Sequence, residues 1–377
     1  MFLHKEHDFW VKKSMQGKPA QDHHPRYVVR NVQPEDVNDI MHLASHLNSI
    51  NLRPHKRELH QRIEHSQNSF TGRTTDPAAR TYMFVLHDTV NNRVVGSSQV
   101  IACCGTPCSP HVSFCVQEQI HRSHHPHRCI KHRVLKLHWD KQGFTQLGGL
   151  VLQPAYRKHP EALGKQLSYV RFACMGMHPE WFCSRVIAEL LPPQDKQGRF
   201  ALWEALGKHF TAMPYSQADA LSHSNKEFVN SLFPQSPIYT CLLPEKAQRA
   251  IGTVGPKTQP AYHLLKRIGF HDTPHIDPFD GGPHLHALLH DIAPVRQTRQ
   301  VVLHVATHKE TSQHNTWGMV AVWRPNAHED SVKQPQFIAC ATQYVYNDKQ
   351  AIAVGQNVFD DLQLQSNEQV WFLPLSS

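Results

Sequence analysis

Along the first hundred residues the apolar positions alternate between two periods. The run Tyr27-Val28-Val29-Arg30-Asn31-Val32 predicts a short strand, and Pro34-Glu35-Asp36 opens a helix. Val37, Ile40, Met41, Ala44 and Leu47 then recur at helical spacing on one face. A second helix is expected around Lys56 to His65, with Leu59 and Ile63 one turn apart. Thr81 to Leu86 and Val94 to Ile101 read as the two strands of a hairpin across the polar turn Asp88 to Arg93. From Cys103 to Lys131 neither period is visible, so an irregular stretch is expected. A strand follows at Gln146 to Leu152, then a basic loop and a helix from about Pro160 to Met177. Val186 to Leu190 is the next strand. Helices are expected at Ala201–Phe210, Asn225–Leu232 and Ala261–Ile268. After Arg299 the texture becomes strand-like, at Val301–Val305, Met319–Trp323, Phe337–Tyr346 and Val370–Leu373. The pattern predicts a polar extension over 1–25, an α/β domain over 26–298 and a small β-rich portion over 299–377.

Composition narrows the class. With 40% hydrophobic residues in 377, the chain can bury a core. Its formal charge of +8 favours anionic partners, but the basic residues are dispersed and no aromatic-interleaved basic run occurs. Nucleic acid is therefore not an expected partner. No apolar run reaches membrane-spanning length, so no membrane is expected either. The nine cysteines follow no framework spacing, and the first residues show no charged-then-apolar leader pattern. The expected compartment is the cytoplasm. The 31 histidines are read mainly as exposed surface.

The chemistry concentrates where a strand stops at Pro154 and a basic loop enters a helix. Free backbone N–H groups and the helix dipole make such a junction an anion site. Arg157 and Lys158 add charge, and Gly164 lets backbone approach closely. The order strand, two helices, hairpin, strand, loop, helix, strand and a later helix closed by Gly269-Phe270 resembles the GNAT N-acyltransferases. That resemblance implies a mixed central sheet whose exposed backbone pairs with the pantetheine of an acyl-CoA.

A more specific likeness is carried by Val186-Ile187-Ala188-Glu189, Trp203 to Phe210, Pro237-Ile238-Tyr239, Ala250 to Val254 and Asp277-Pro278-Phe279-Asp280-Gly281-Gly282-Pro283. From about Tyr27 to Arg296 the chain resembles the arginine N-succinyltransferase family. This implies succinyl transfer from succinyl-CoA to the α-amine of L-arginine, in arginine catabolism, by direct attack of the amine on the thioester. It also implies multimers and no metal. Leu150 falls where the family contacts succinyl-CoA, and the backbone of Leu150 and Val151 would supply donors to the thioester oxygen. Arg157, Lys158 and Gly164 complete the expected acyl-CoA site. Glu189 and Asp280 are candidates for the arginine guanidinium, because paired carboxylate oxygens match its fork.

The chain departs from the family at several positions. The family's proton-donor histidine is replaced by Gly255, ahead of Pro256. An Arg-Gly pair after the Ala-Glu stretch is here Leu191-Pro192, and the strand before the loop begins Gln146 instead of Glu. The loop Arg157 to Gly164 is two residues longer and keeps only its last glycine. A general GNAT tyrosine is replaced by Leu265, with Tyr262 nearby. His223, His271 and His284 are candidate substitutes for the missing proton donor. A second reading is an acyl-CoA-binding relative with altered or lost activity. The crowd of Cys and His over 103–132, including Cys103, Cys104, Cys108 and His111, lacks paired Cys-x2-Cys spacing and is read as free thiols and surface imidazoles, not a zinc site.

Overall fold

The computed structural model describes residues 27–47, 55–224, 226–306, 316–324, 335–347 and 350–375. The extension expected over 1–25 lies outside them. In chain order come β1 (Tyr27–Asn31), α1 (Val37–Leu47), α2 (Lys56–Phe70), β2 (Thr81–Asp88), β3 (Arg93–Cys104), β4 (His111–Ser123), β5 (Arg128–Asp140) and β6 (Phe144–Leu152). Next are α3 (Leu163–Met177), β7 (Arg185–Glu189), α4 (Lys208–Thr211), α5 (Tyr215–Ser224), α6 (Glu227–Leu232), β8 (Ile238–Tyr239), α7 (Glu245–Ala250) and α8 (Gln259–Arg267). The chain continues through β9 (His271–Ile276), β10 (Pro283–Leu288), α9 (Ala293–Gln297), β11 (Arg299–Val305), β12 (Trp317–Trp323), β13 (Phe337–Tyr346), β14 (Ala351–Val354), α10 (Gln356–Leu362) and β15 (Gln369–Pro374).

Two compact units are woven from this order. One comprises the described residues of Met1–Ala102, Gly148–Phe182 and Ala293–Ser377, the other Cys103–Leu147 and Cys183–Ile292. This division differs from the expected boundary near 298, and strand pairing explains why. β13 pairs antiparallel with β1 through Val29↔Ala339, so the β-rich tail joins the first strand.

In the first unit β1, β2 and β3 are neighbours, and β2 reads Tyr82-Met83-Phe84-Val85-Leu86 because both of its faces are covered. Val37, Ile40, Leu43 and Ala44 of α1 pack with Leu59 and Ile63 of α2, and with Met83, Val94 and Val151. Val37, Ile40 and Ala44 of the expected stripe thus share a core with Leu59 and Ile63, joined by Leu43, with Met41 partly buried against it; the Leu47 side chain lies outside the described residues. α3 is buried along most of its length, from Leu163 to Met177, as an apolar helix without a polar face must be. β11 to β15 close on themselves, because β12 pairs with both β15 and β13. Closure removes open strand edges, and Val358, Phe359 and Leu362 of α10 share the core of that ring.

In the second unit the strand order is β6-β7-β10-β9-β4-β5-β8. The stretch expected to be irregular is a long antiparallel hairpin, with β4 and β5 in register from His111↔Asp140 to Ser123↔Arg128. Its outer half is exposed on both faces, Ile120 and Ile130 included, so no apolar alternation marks it. β9 and β10 also escaped the pattern, since β9 carries Pro274 and alternates polar residues. Among the described residues no helix is long and apolar enough to cross a membrane.

Candidate functional site

In the first unit, the end of β6 and the loop beyond it form the expected acyl-CoA segment. Parallel pairing of β6 with β7 ends at Leu147↔Ala188, and from there the strand changes character. Gly149 takes φ +58°, and a Cβ there would press on Gln99 Cβ at 3.1 Å. Its carbonyl accepts a hydrogen bond from Ser97 Oγ at 3.1 Å. Leu150 is exposed and Val151 is turned inward. Close approach fixes the neighbouring strand too. A Cβ on Gly96 would sit 2.8 Å from the Val151 carbonyl oxygen.

After Leu152 the chain makes a single helical turn, Pro154–Tyr156. Arg157 is exposed and its Nε donates to the Leu152 carbonyl at 3.2 Å. Lys158 is exposed with φ +63°, and Ala162, the N-cap of α3, has φ +51°. Both residues hold a left-handed conformation that glycine adopts freely and L-residues enter at a cost of about 1 kcal/mol. The loop thus follows a glycine-type path at two non-glycine residues. Gly164 lies in the first turn of α3, where only Leu152 Cδ2 at 3.8 Å would meet a side chain.

The second unit contains a denser arrangement around Glu189. β10 runs antiparallel to β7 with His284 directly opposite Glu189. Such partners project on one face, so register alone brings the imidazole to the carboxylate. His111, at the start of β4, packs edge-on against Phe144 at 5.0 Å, and its ring centroid lies 5.7 Å from that of His284. Both Nε2 atoms face Glu189 Oε1, His111 at 3.1 Å and His284 at 3.8 Å. Burial disfavours the Glu189 carboxylate, but the contact with His111 and the neighbouring charges outweigh it and hold the pKa down at about 2. Burial acts on His284 in the same sense as before, against charge, and lowers its pKa to about 4.

A glycine-rich turn sets this geometry. Asp277 Oδ1 accepts from the backbone N–H of Phe279 and of Asp280, and Asp280 Oδ1 accepts from Gly282 N–H at 2.6 Å. Burial, reinforced by Glu189, raises Asp277 to about 6, and burial raises Asp280 well above the ordinary carboxylate range. Asp280 is buried and engaged in its own turn, so its carboxyl is poorly disposed to receive a guanidinium. Glu189 remains as the anionic carboxylate of the expected pair.

Of the substitute histidines, only His284 reaches Glu189 among the described side chains. His271 is exposed on β9, next to His286, and the side chain of His223 lies outside the described residues. Tyr262 donates to Asp272 on the surface. His111, read from the sequence only as one member of a Cys/His-rich stretch, is the residue that sequence reasoning missed. Its signal lies in sheet register, because its partners are on β7 and β10.

Gly255 is closed as well as bare. A Cβ there would lie 2.7 Å from the Pro192 carbonyl oxygen and 2.9 Å from that of Leu191. Gly255 N–H already donates to the Leu191 carbonyl at 2.8 Å. Gly255→His is therefore expected to lower Tm by several degrees without raising turnover. Adding Leu191→Arg and Pro192→Gly should recover much of the loss, as read by thermal denaturation of the single and triple variants.

The lowered His284 pKa also has a sign. Below its ordinary value of 6.5 the unfolded imidazole takes up a proton that the folded one refuses until about 4. Its neutral, buried state thus stabilises the fold fully above pH 6.5, and stability is lost as pH falls from there to about 4. Asp277 opposes this, since its raised pKa favours the folded state as pH falls below about 6. The stability advantage of the native chain over His284→Gln is expected to shrink by about 3 kcal/mol across the His284 window. Denaturant titrations of the two proteins at several pH values measure it.

Comparison with known proteins bears on both units. Residues 27–294 match the family model described as arginine N-succinyltransferase beta subunit. The arginine N-succinyltransferase of Yersinia pseudotuberculosis is 35% identical over 280 residues, which is 73% of this chain and 79% of that protein. Arginine N-succinyltransferase subunit alpha of Pseudomonas aeruginosa is 33% identical over 278 residues, 73% of this chain and 81% of its own. Among solved structures, the arginine/ornithine succinyltransferase subunit AI of Pseudomonas aeruginosa superposes with a TM-score of 0.77 at 26% identity. It covers 94% of this chain and 100% of its own. The matched span runs from β1 to α9, takes in the Glu189 strand and the glycine-rich turn, and places this chain in the arginine N-succinyltransferase family.

Proposed function

We propose that this chain transfers the succinyl group of succinyl-CoA to the α-amine of L-arginine, in the cytoplasm. Membership of the family carries the reading. An ionised Glu189 on β7, attended by two imidazoles, supports it. In the first unit, the backbone N–H groups of Leu150 and Val151 would bind the acyl-CoA and steady the thioester oxygen. Arg157 and Lys158 would attract its phosphates, and Gly164 would leave room at the helix start.

In the second unit, the chemistry asks for a proton acceptor. Arginine's α-amine is an ammonium near neutrality and must lose a proton before its nitrogen lone pair can attack the thioester carbon. His284 is held neutral but is a weak acceptor, because burial resists its charged form. His111 is better disposed. It is less buried, and its Nε2 lies 3.1 Å from the Glu189 carboxylate. The proton would pass to His111, and His284 would act as a positioning residue for Glu189. The departing CoA thiolate would take its proton from water.

Release of free thiol on mixing the purified chain with succinyl-CoA and L-arginine tests the reading. Arginine-dependent release, with succinylarginine as product, is the expected result. Succinyl-CoA affinity without arginine-dependent release would instead support the acyl-CoA-binding relative.

A further inference from the structure

His111 Nε2, Glu189 Oε1 and His284 Nε2 are all buried, and none makes a hydrogen bond of acceptable geometry. Three buried polar atoms that face one another without a well-formed hydrogen bond leave a cost that a cation removes. Among the described residues, these three ligand atoms form a group lying within 4.8 Å of one another. Their separations from the carboxylate oxygen are 3.1 and 3.8 Å. A tetrahedral zinc ion with bonds of about 2.0–2.1 Å sets neighbouring ligand atoms about 3.3 Å apart, between those two values. Two imidazoles and one carboxylate are also a known set for an open zinc site, in which water fills the fourth position. Finally, Glu189 and His284 sit on paired strands and His111 at a strand start, so the scaffold is stiff.

We propose that His111, Glu189 and His284 form a binding site for one divalent transition-metal ion of the zinc type. Binding consumes the lone pairs of both imidazoles and neutralises the carboxylate. A further consequence rests on the function proposed above: a bound ion removes the proton acceptor, so zinc inhibits turnover and a chelator restores it. The binding itself needs no such activity.

The test uses the full chain stripped of metal by dialysis against a chelator, then titrated with Co2+ and Zn2+. The expected result is the visible absorption band of tetrahedral Co2+ at one equivalent, erased by one equivalent of Zn2+. His111→Ala and His284→Ala should each abolish the band and weaken Zn2+ at least by the roughly 10–100-fold that losing even an outer-shell partner costs. His290→Ala, at a ring 74% exposed, should change neither. Circular dichroism confirms folding, and Glu189→Gln serves where a histidine variant does not fold. A native chain with no such band, or with a band equally strong in the folded His111 and His284 variants, overturns the proposal. Metal binding without succinyl transfer would leave this site standing and remove only the activity. Succinyl transfer without metal binding would do the reverse.

Discussion

Glu189→Gln is expected to lower turnover by about 10²–10³-fold, because His111, the proposed proton acceptor, loses the carboxylate it faces. The substitution keeps volume and shape, so the strand pairing of His284 with residue 189 should persist. What disappears is a charge that stays ionised far into acid, because the His111 contact and nearby charges hold Glu189 at about 2. An imidazolium formed on His111 would then face an amide in place of an anion. The change should also reach the glycine-rich turn. Glu189 is among the causes that raise both Asp277 and Asp280, so each should titrate lower in the variant. Thiol release measures the first effect, and carboxyl titration by NMR the second. Turnover within threefold of the native chain would remove Glu189 from the proton path.

The legibility of this site differs from residue to residue. Apolar stripes on α1 and α2, and the continuous apolar run of β2, announce themselves because each side chain's neighbour lies within one turn or one strand. The strand–turn–helix path of the β6–α3 junction is legible for the same reason, because it follows from consecutive residues. Glu189 with His284 is different. Their contact depends on antiparallel register between strands almost a hundred residues apart, which neither strand's own sequence specifies. His111 requires a further step, since β4 was hidden in a hairpin whose outer faces are both polar.

Two departures that look separate along the chain are adjacent in space. Leu191 and Pro192, expected from the resemblance to stand in for an Arg-Gly pair, present their carbonyl oxygens to Gly255, expected to stand in for a histidine. A Cβ at 255 has no room while that backbone stands, and the hydrogen bond from Gly255 to Leu191 ties the two segments together. The two expected departures thus share one packing contact. Nearby, Glu189 has two imidazoles within 4 Å of its Oε1, on β4 and β10.

The largest expected effect on the fold is that of Gly282→Ala. The Asp277–Pro283 turn returns the chain onto β7, with Leu190 N–H donating to the Pro283 carbonyl and Asp277 N–H to that of Gly282. An added Cβ at 282 would lie only 2.0 Å from the Leu190 carbonyl oxygen and 2.9 Å from Asp280 Oδ1. The nearer obstacle is backbone, so no rotamer change relieves it. Either β10 moves away from β7 or the turn opens, and both undo the opposition of His284 to Glu189 two residues further on. We expect a destabilisation of at least about 3 kcal/mol, at the upper end for overpacked sites, with much of the protein insoluble. Gly281→Ala provides the comparison. It meets a movable Leu202 side chain at 3.1 Å but must hold φ +85°, so its cost should be nearer 1–2 kcal/mol, roughly that of a left-handed L-residue. Thermal denaturation of both variants ranks them. If Gly282→Ala melts no lower than Gly281→Ala, close backbone approach is not the reason for glycine at 282, and the link between this turn and the His284–Glu189 register fails with it.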